Sequence, residues 1–153
     1  MPPTVAAEDI DILSKAKRSL ESEYLPSDDE EYMSSKQVDY FRMLLVEWKR
    51  SILAAAEGTL QSLQDGPIRE PDLNDRASSE TDWGIELRTR DRQRKLISKI
   101  ESALRRIDKG EYGYCEVTGD PIGLKRLIAR PIATMTVEAQ EAHERREKVS
   151  RDD

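Results

Sequence analysis

One cysteine, one histidine and one phenylalanine occur in 153 residues, and each scarcity removes an explanation. A lone cysteine cannot close an intramolecular disulfide, so the fold has to hold without a covalent staple. No nucleophile stands with a base, and His143 lies among charges on a helical stretch, where a solvated residue is the expected reading. No signal-like stretch opens the chain and no apolar run approaches the roughly 18 residues of a membrane span. A soluble, cytoplasmic protein is expected. Hydrophobic residues make up 37% of the chain and charged residues 37%, a balance that suits an elongated protein with a thin seam better than a large globule.

Positive charge is also short overall. The net charge of −6 argues against free nucleic acid as the main partner, because phosphate contacts need clustered Lys and Arg, and no direct sequence-specific DNA binding is expected. Its distribution is uneven. From Glu8 to Glu31 nine acids face three bases, whereas from Arg88 to Lys109 nine bases face three acids. Opposed segments of this kind fit a partner with its own charge pattern.

What is present is helical periodicity. Ile12, Leu13, Ala16 and Leu20 predict a first helix over about Glu8–Tyr24, stopped by Leu25-Pro26-Ser27. Ser27 followed by Glu30 reads as a capping box, which predicts that a second helix begins there. In it Val38, Phe41, Leu45, Trp48, Ile52 and Ala55 recur at steps of 3, 4, 3, 4 and 3, the spacing of a coiled-coil seam. Gly66-Pro67 and Pro71 break it. Helix resumes near Asp75 and runs through Trp83, Leu87, Ile97, Ile100, Leu104 and Ile107 to Gly110. Two long helices joined by a short loop predict an antiparallel hairpin, a rod on the order of 45 Å long at 1.5 Å per residue. The expected fold is mainly α, with the coiled-coil hairpin (33–108, tip loop near 66–77) projecting from a small globular base. That base is made of an N-terminal helical part (1–32) and a zinc-finger-like segment plus C-terminal helix (109–153).

Tyr112-Gly113-Tyr114-Cys115-Glu116-Val117-Thr118-Gly119 is written like one knuckle of a zinc ribbon. Such a ribbon needs two C-x-x-C pairs converging tetrahedrally on one ion. Here the four positions are Cys115, Thr118, Thr136 and Ala139. A threonine hydroxyl is a poor zinc ligand and alanine has no donor, and oxygen-rich substitutes from Glu116, Asp120, Glu138 or His143 seldom make a structural zinc site. Zinc is not expected. Packing of Ile122, Leu124, Leu127, Ile128, Ile132 and Met135 has to replace it.

Two groups could carry chemistry. Asp72 and Asp75, at the tip, could reach into a narrow cavity and act near a metal or a basic group. They could equally be a turn former and a helix cap. Arg88, Arg92, Lys95 and Lys99, at steps of 4, 3 and 4, line one helix face. That face could be solvated and paired with acids of the opposite arm, or could bind phosphate or an acidic protein, with Lys125, Arg126 and Arg130 completing the site.

Assembled, these parts resemble the DksA/TraR family of bacterial RNA polymerase-binding transcription factors. The resemblance runs from about Glu30 to Lys148. It rests on Glu31-Tyr32-Met33, the tip Asp72-x-x-Asp75-x-Ala77, the run Glu86-Leu87-Arg88-Thr89-Arg90-Asp91-Arg92, Tyr112-Gly113-Tyr114-Cys115, and Ala129-Arg130-Pro131. It implies a non-enzymatic, monomeric regulator that enters the secondary channel of RNA polymerase. Asp72, Asp75 and Ala77 would approach the active-site region and change initiation at rRNA and amino-acid promoters. It implies no tightly bound cofactor, but a co-regulator, the alarmone ppGpp of the stringent response, held against the polymerase by Leu96, Lys99 and Arg130, with Arg92 and Lys95 on the same face. A further basic position of that site is Gln140 here. The ribbon resembles the cysteine-poor form of the family. A Gre-like transcript-cleavage factor and a coiled-coil adaptor with no polymerase role are the alternatives.

Overall fold

The computed structural model describes residues 7–20, 24–65 and 73–152, with side chains described for 9–20, 24–58 and 80–150. It is mainly helical: α1 (Ala7–Ser19), α2 (Ser35–Asp65), α3 (Leu73–Asp108), α4 (Leu124–Ala129) and α5 (Val137–Asp152). No helix among the described residues is long and apolar enough to cross a membrane.

The start of α2 differs from the expectation. Ser27 does not open a helix: its Oγ accepts the Asp29 N–H at 3.2 Å and its carbonyl accepts the Glu30 N–H at 3.2 Å, closing a local turn of the kind with which serine competes against helix. The helix cap lies seven residues later, at Ser34. Ser34 Oγ accepts the Gln37 N–H at 3.4 Å, while Gln37 Oε1 reaches back to the Met33 N–H at 2.8 Å. The buried Gln37 amide also donates to the Ser27 carbonyl and to Glu30. One side chain therefore pins the whole turn to the helix. The first helix also ends early, at Ser19 instead of near Tyr24. Tyr24 instead donates to Glu30 and meets Tyr40 edge-on.

The α2–α3 hairpin is antiparallel, with Arg42 on Asp108 at 2.8 Å and Lys49 on Glu101 at 3.1 Å. Phe41, Leu45, Trp48 and Ile52 form the α2 side of the seam, as their spacing predicts, but Ala55 is exposed. Tyr40 and Leu44 are buried as well, because α1 packs along α2 and presents Leu13 and Ala16 to a second face. Facing them on α3 are Gln93, Leu96, Ile100, Ala103 and Ile107. Trp83 and Leu87, expected in the seam, stay exposed.

Gly110, at φ 73°, ends α3, the left-handed cap that glycine adopts without a Cβ penalty. The segment that follows is a short hairpin of turns with one isolated bridge, and it also contains α4, which the periodicity did not predict. Cys115 N–H to Asp120 O (2.8 Å) and Ile122 N–H to Gly113 O (2.8 Å) bracket the Tyr114–Pro121 bridge. Arg106, near the end of α3, donates to the Tyr114 carbonyl at 2.7 Å, and Tyr112 packs at a tilt against Phe41 and donates to the Pro131 carbonyl. Ile122, Leu124, Leu127 and Ile132 are buried, with Ile128 and Met135 packed beside them. Hairpin and base thus share one continuous core.

Candidate functional site

Arg130 caps the C-terminus of α4. Its N–H bonds to the Arg126 carbonyl at 2.7 Å, and the buried Pro131 follows it. Arg126 is itself fixed, its Nε donating to the Met135 carbonyl at 2.9 Å. The Arg130 and Lys99 side chains are partly buried and close enough to oppose each other's charge. Burial and then the neighbouring Arg126 lower the Arg130 pKa, partly offset by Glu144. Burial and then Arg130 lower that of Lys99. Partly buried like charges of this kind are eased by a negative charge nearby.

The other residues of the basic face are placed differently. Lys95 is exposed. Leu96 lies in the α2–α3 seam, 6% exposed, and offers solvent little surface. Arg92 turns toward α1, where its Nε lies 3.2 Å from Asp9 Oδ2, with Asp9 only 1% exposed. This contact pairs it with the N-terminal helix. Gln140, on α5, donates to Glu144 Oε1 at 3.2 Å. His143 is exposed and lies 3.1 Å from Glu147. At the tip, Asp72 lies outside the described residues. Asp75 and Ala77 lie on the backbone of the first turns of α3, which begins at Leu73, so Asp75 is inside the helix rather than its cap.

Asp9 and Glu144 were missed in the sequence. Asp9 left a trace: with Leu13 and Ala16 it falls on the buried phase of α1. A charge in an apolar register marks a buried pair. Glu144 left none.

At the knuckle, Cys115 is a free thiol, 3% exposed. Burial alone would raise its pKa. The Thr118 hydroxyl and the N–H groups of Thr118, Thr136 and Val117 all favour the thiolate and bring it down to about 7. The two threonines also have backbone duties. Thr118 Oγ1 accepts the Asp120 N–H at 3.3 Å, and Thr136 Oγ1 accepts the Ala139 N–H at 3.1 Å, capping α5. Ala139 has no donor atom, and no group of three His, Cys, Asp or Glu among the described residues could hold a metal. This set does not fit a tetrahedral zinc ion.

The fold ionises Cys115 at a lower pH than the unfolded chain, whose thiol keeps its ordinary value of 9.0. Ionisation therefore adds stability as pH rises from about 7 toward 9, and that increment is absent below about 7. Thiolate absorbance, read on the only cysteine, should titrate with a midpoint near 7, and Thr118→Val should move the midpoint upward. A wild-type midpoint near 9.0 would contradict this hydrogen bonding.

Comparison with known proteins identifies two family models. Residues 37–107 match the N-terminal domain of the DnaK suppressor protein DksA, and residues 110–145 match the prokaryotic dksA/traR C4-type zinc finger. A protein of Caulobacter vibrioides named RNA polymerase-binding transcription factor DksA is 61% identical over 133 residues, covering 87% of this chain and 94% of that one. A Haemophilus influenzae protein of the same name is 42% identical over 97 residues, covering 63% of this chain and 67% of that one. The structure of transcription factor DksA2 from Pseudomonas aeruginosa superposes with a TM-score of 0.71 at 37% identity, covering 93% of this chain and 99% of that one.

Proposed function

The chain belongs to the DksA family, and from that premise we propose that it binds RNA polymerase and regulates transcription without catalysing a reaction itself. It enters the secondary channel as a monomer in the cytoplasm, with Asp72, Asp75 and Ala77 toward the polymerase active-site region. It acts there with ppGpp in the stringent response, at rRNA and amino-acid promoters. What supports the ppGpp part is that Lys99 and Arg130 are partly buried and that Arg130 opposes the charge of Lys99 as Arg126 opposes that of Arg130. Three partly desolvated cations suit a ligand bearing two diphosphates. Packing and the Cys115 hydrogen bonds hold the base, without zinc.

In vitro transcription with purified polymerase tests this reading. Asp75→Asn is expected to keep polymerase binding and lose the effect at an rRNA promoter. Lys99→Ala or Arg130→Ala should weaken the ppGpp-dependent part at subsaturating ppGpp. Regulation intact in Asp75→Asn refutes the channel reading, and shortening of RNA in backtracked complexes would favour a Gre-like factor. Elemental analysis should find substoichiometric zinc; stoichiometric zinc lost on Cys115→Ser overturns the metal-free base.

A further inference from the structure

We propose that α1 is an autoinhibitory strap: docked, it withholds Arg92 from the basic face of α3, and an acidic surface of RNA polymerase draws Arg92 out as α1 lifts. The inference rests on the reading that this chain binds RNA polymerase. Arg88, Arg92, Lys95 and Lys99 recur at steps of 4, 3 and 4, a row roughly 16 Å long at 1.5 Å per residue. A row of that length outreaches a single phosphate and suits an extended acidic protein surface. Arg88 and Lys95 are exposed and Lys99 is half-buried. Arg92 interrupts the row, because its Nε lies 3.2 Å from Asp9 Oδ2 on α1 and its charge is matched there.

The two ends of that ion pair are unequal. The Arg92 side chain is 33% exposed, the Asp9 side chain 1%. The guanidinium cannot leave while the carboxylate stays inside, since an unpaired buried anion is strongly unfavourable. Freeing Arg92 therefore requires the start of α1 to lift and carry Asp9 into water. The strap is light enough to do so. Leu13 and Ala16 are its buried apolar residues among those described, while Ile10 and Asp11 face solvent. Asp9 Oδ1 has no hydrogen-bond partner among the described residues, so lifting gives that oxygen the water it lacks. An acidic surface that takes Arg92 thus couples its own binding to the opening of α1.

The test is a binding titration of the full chain against core RNA polymerase without ppGpp, paired with hydrogen exchange. Asp9→Leu removes the latch and keeps an apolar contact. It is expected to tighten binding roughly two- to fivefold, the size of one screened charge pair, with the gain shrinking in high salt. Asp11→Leu makes the same charge change on the exposed side of α1 and should leave the affinity where it was. Arg92→Ala added to Asp9→Leu should cancel the gain. In the wild-type chain, exchange across 9–19 should quicken when polymerase binds. Unchanged affinity in Asp9→Leu, equal gains in Asp9→Leu and Asp11→Leu, or a gain that survives Arg92→Ala overturns the strap. So does exchange in α1 that slows or holds steady on binding. Failure of the wild-type chain to bind polymerase is a distinct result, and it sinks the reading on which the strap rests.

Discussion

Gly113→Ala should destabilise the protein by about 2–4 kcal/mol, combining the cost of a left-handed backbone for a residue with a Cβ and the cost of overpacking. Gly113 sits at φ 93°, and a Cβ there would lie 2.7 Å from Met33 Sδ and 2.9 Å from its Cγ. Both backbones are held, so any relief has to come from rotation of the Met33 side chain. The Met33 N–H is held by Gln37, and Met33 itself has φ 56°. The Gly113 carbonyl accepts both the Tyr32 hydroxyl at 2.6 Å and the Ile122 N–H at 2.8 Å. The Tyr32 hydroxyl in turn accepts the Gly123 N–H at 3.0 Å. This knot joins the turn before α2 to the base. Urea unfolding should show a lower midpoint with an unchanged slope. Gly119→Ala is the control: its φ is 77° with nothing within 4 Å of the new methyl, so only the backbone cost, about 1–2 kcal/mol, applies. Met33→Ala in the Gly113→Ala background should recover the difference. Equal losses in the two alanine variants would show that Met33 does not confine Gly113.

The hairpin was legible because its apolar residues keep a regular step for two long helices, and a step of this kind has few structural interpretations. Helix ends were not legible to the residue. Ser27 and Ser34 carry similar caps in sequence, and the choice between them is made by Gln37, whose amide can satisfy both neighbours only when the helix begins at Ser35. The breadth of the α2 core was hidden for another reason. Tyr40 and Leu44 lie off the seam, on a helix that also packs against α1, and Tyr40 meets Tyr24 beyond α1 as well. Of the candidate site, Lys99 and Arg130 are 31 positions apart, so helical spacing could not join them; the family resemblance did. Loss of metal ligands at Thr118 and Thr136 was plain, whereas their service as a turn former and a helix cap depends on backbone geometry that residue type alone does not give.

Arg92→Ala should be the more damaging half of the α1–α3 pair. Asp9 is 1% exposed and one of its oxygens, Oδ1, has no hydrogen-bond partner among the described residues, while Oδ2 meets Arg92 at 3.2 Å. Removing the guanidinium leaves an anion inside the helix junction. Breaking a fully buried pair in this way costs about 3–5 kcal/mol. The Arg92 side chain is 33% exposed, so water enters the site and the expected loss is nearer 2–3 kcal/mol. Asp9→Leu removes the charge and its desolvation together, leaving Arg92 with access to solvent, and should cost less than about 1 kcal/mol or stabilise. The loss need not unfold the hairpin. Undocking α1 exposes Leu13 and Ala16 but leaves the α2–α3 seam intact, so the weakest cooperative unit opens first. Hydrogen exchange should therefore accelerate across 9–19 in Arg92→Ala while amides around Ile52 and Ile100 keep their protection. Asp9→Leu combined with Arg92→Ala should restore slow exchange in α1, because no buried charge is left without a partner. If Asp9→Leu is as costly as Arg92→Ala, the pair is a net source of stability and the desolvation argument is wrong. If the expected order is found, Arg92 belongs to the architecture that holds α1, and the anion-facing part of the basic stripe narrows to the Lys99 end.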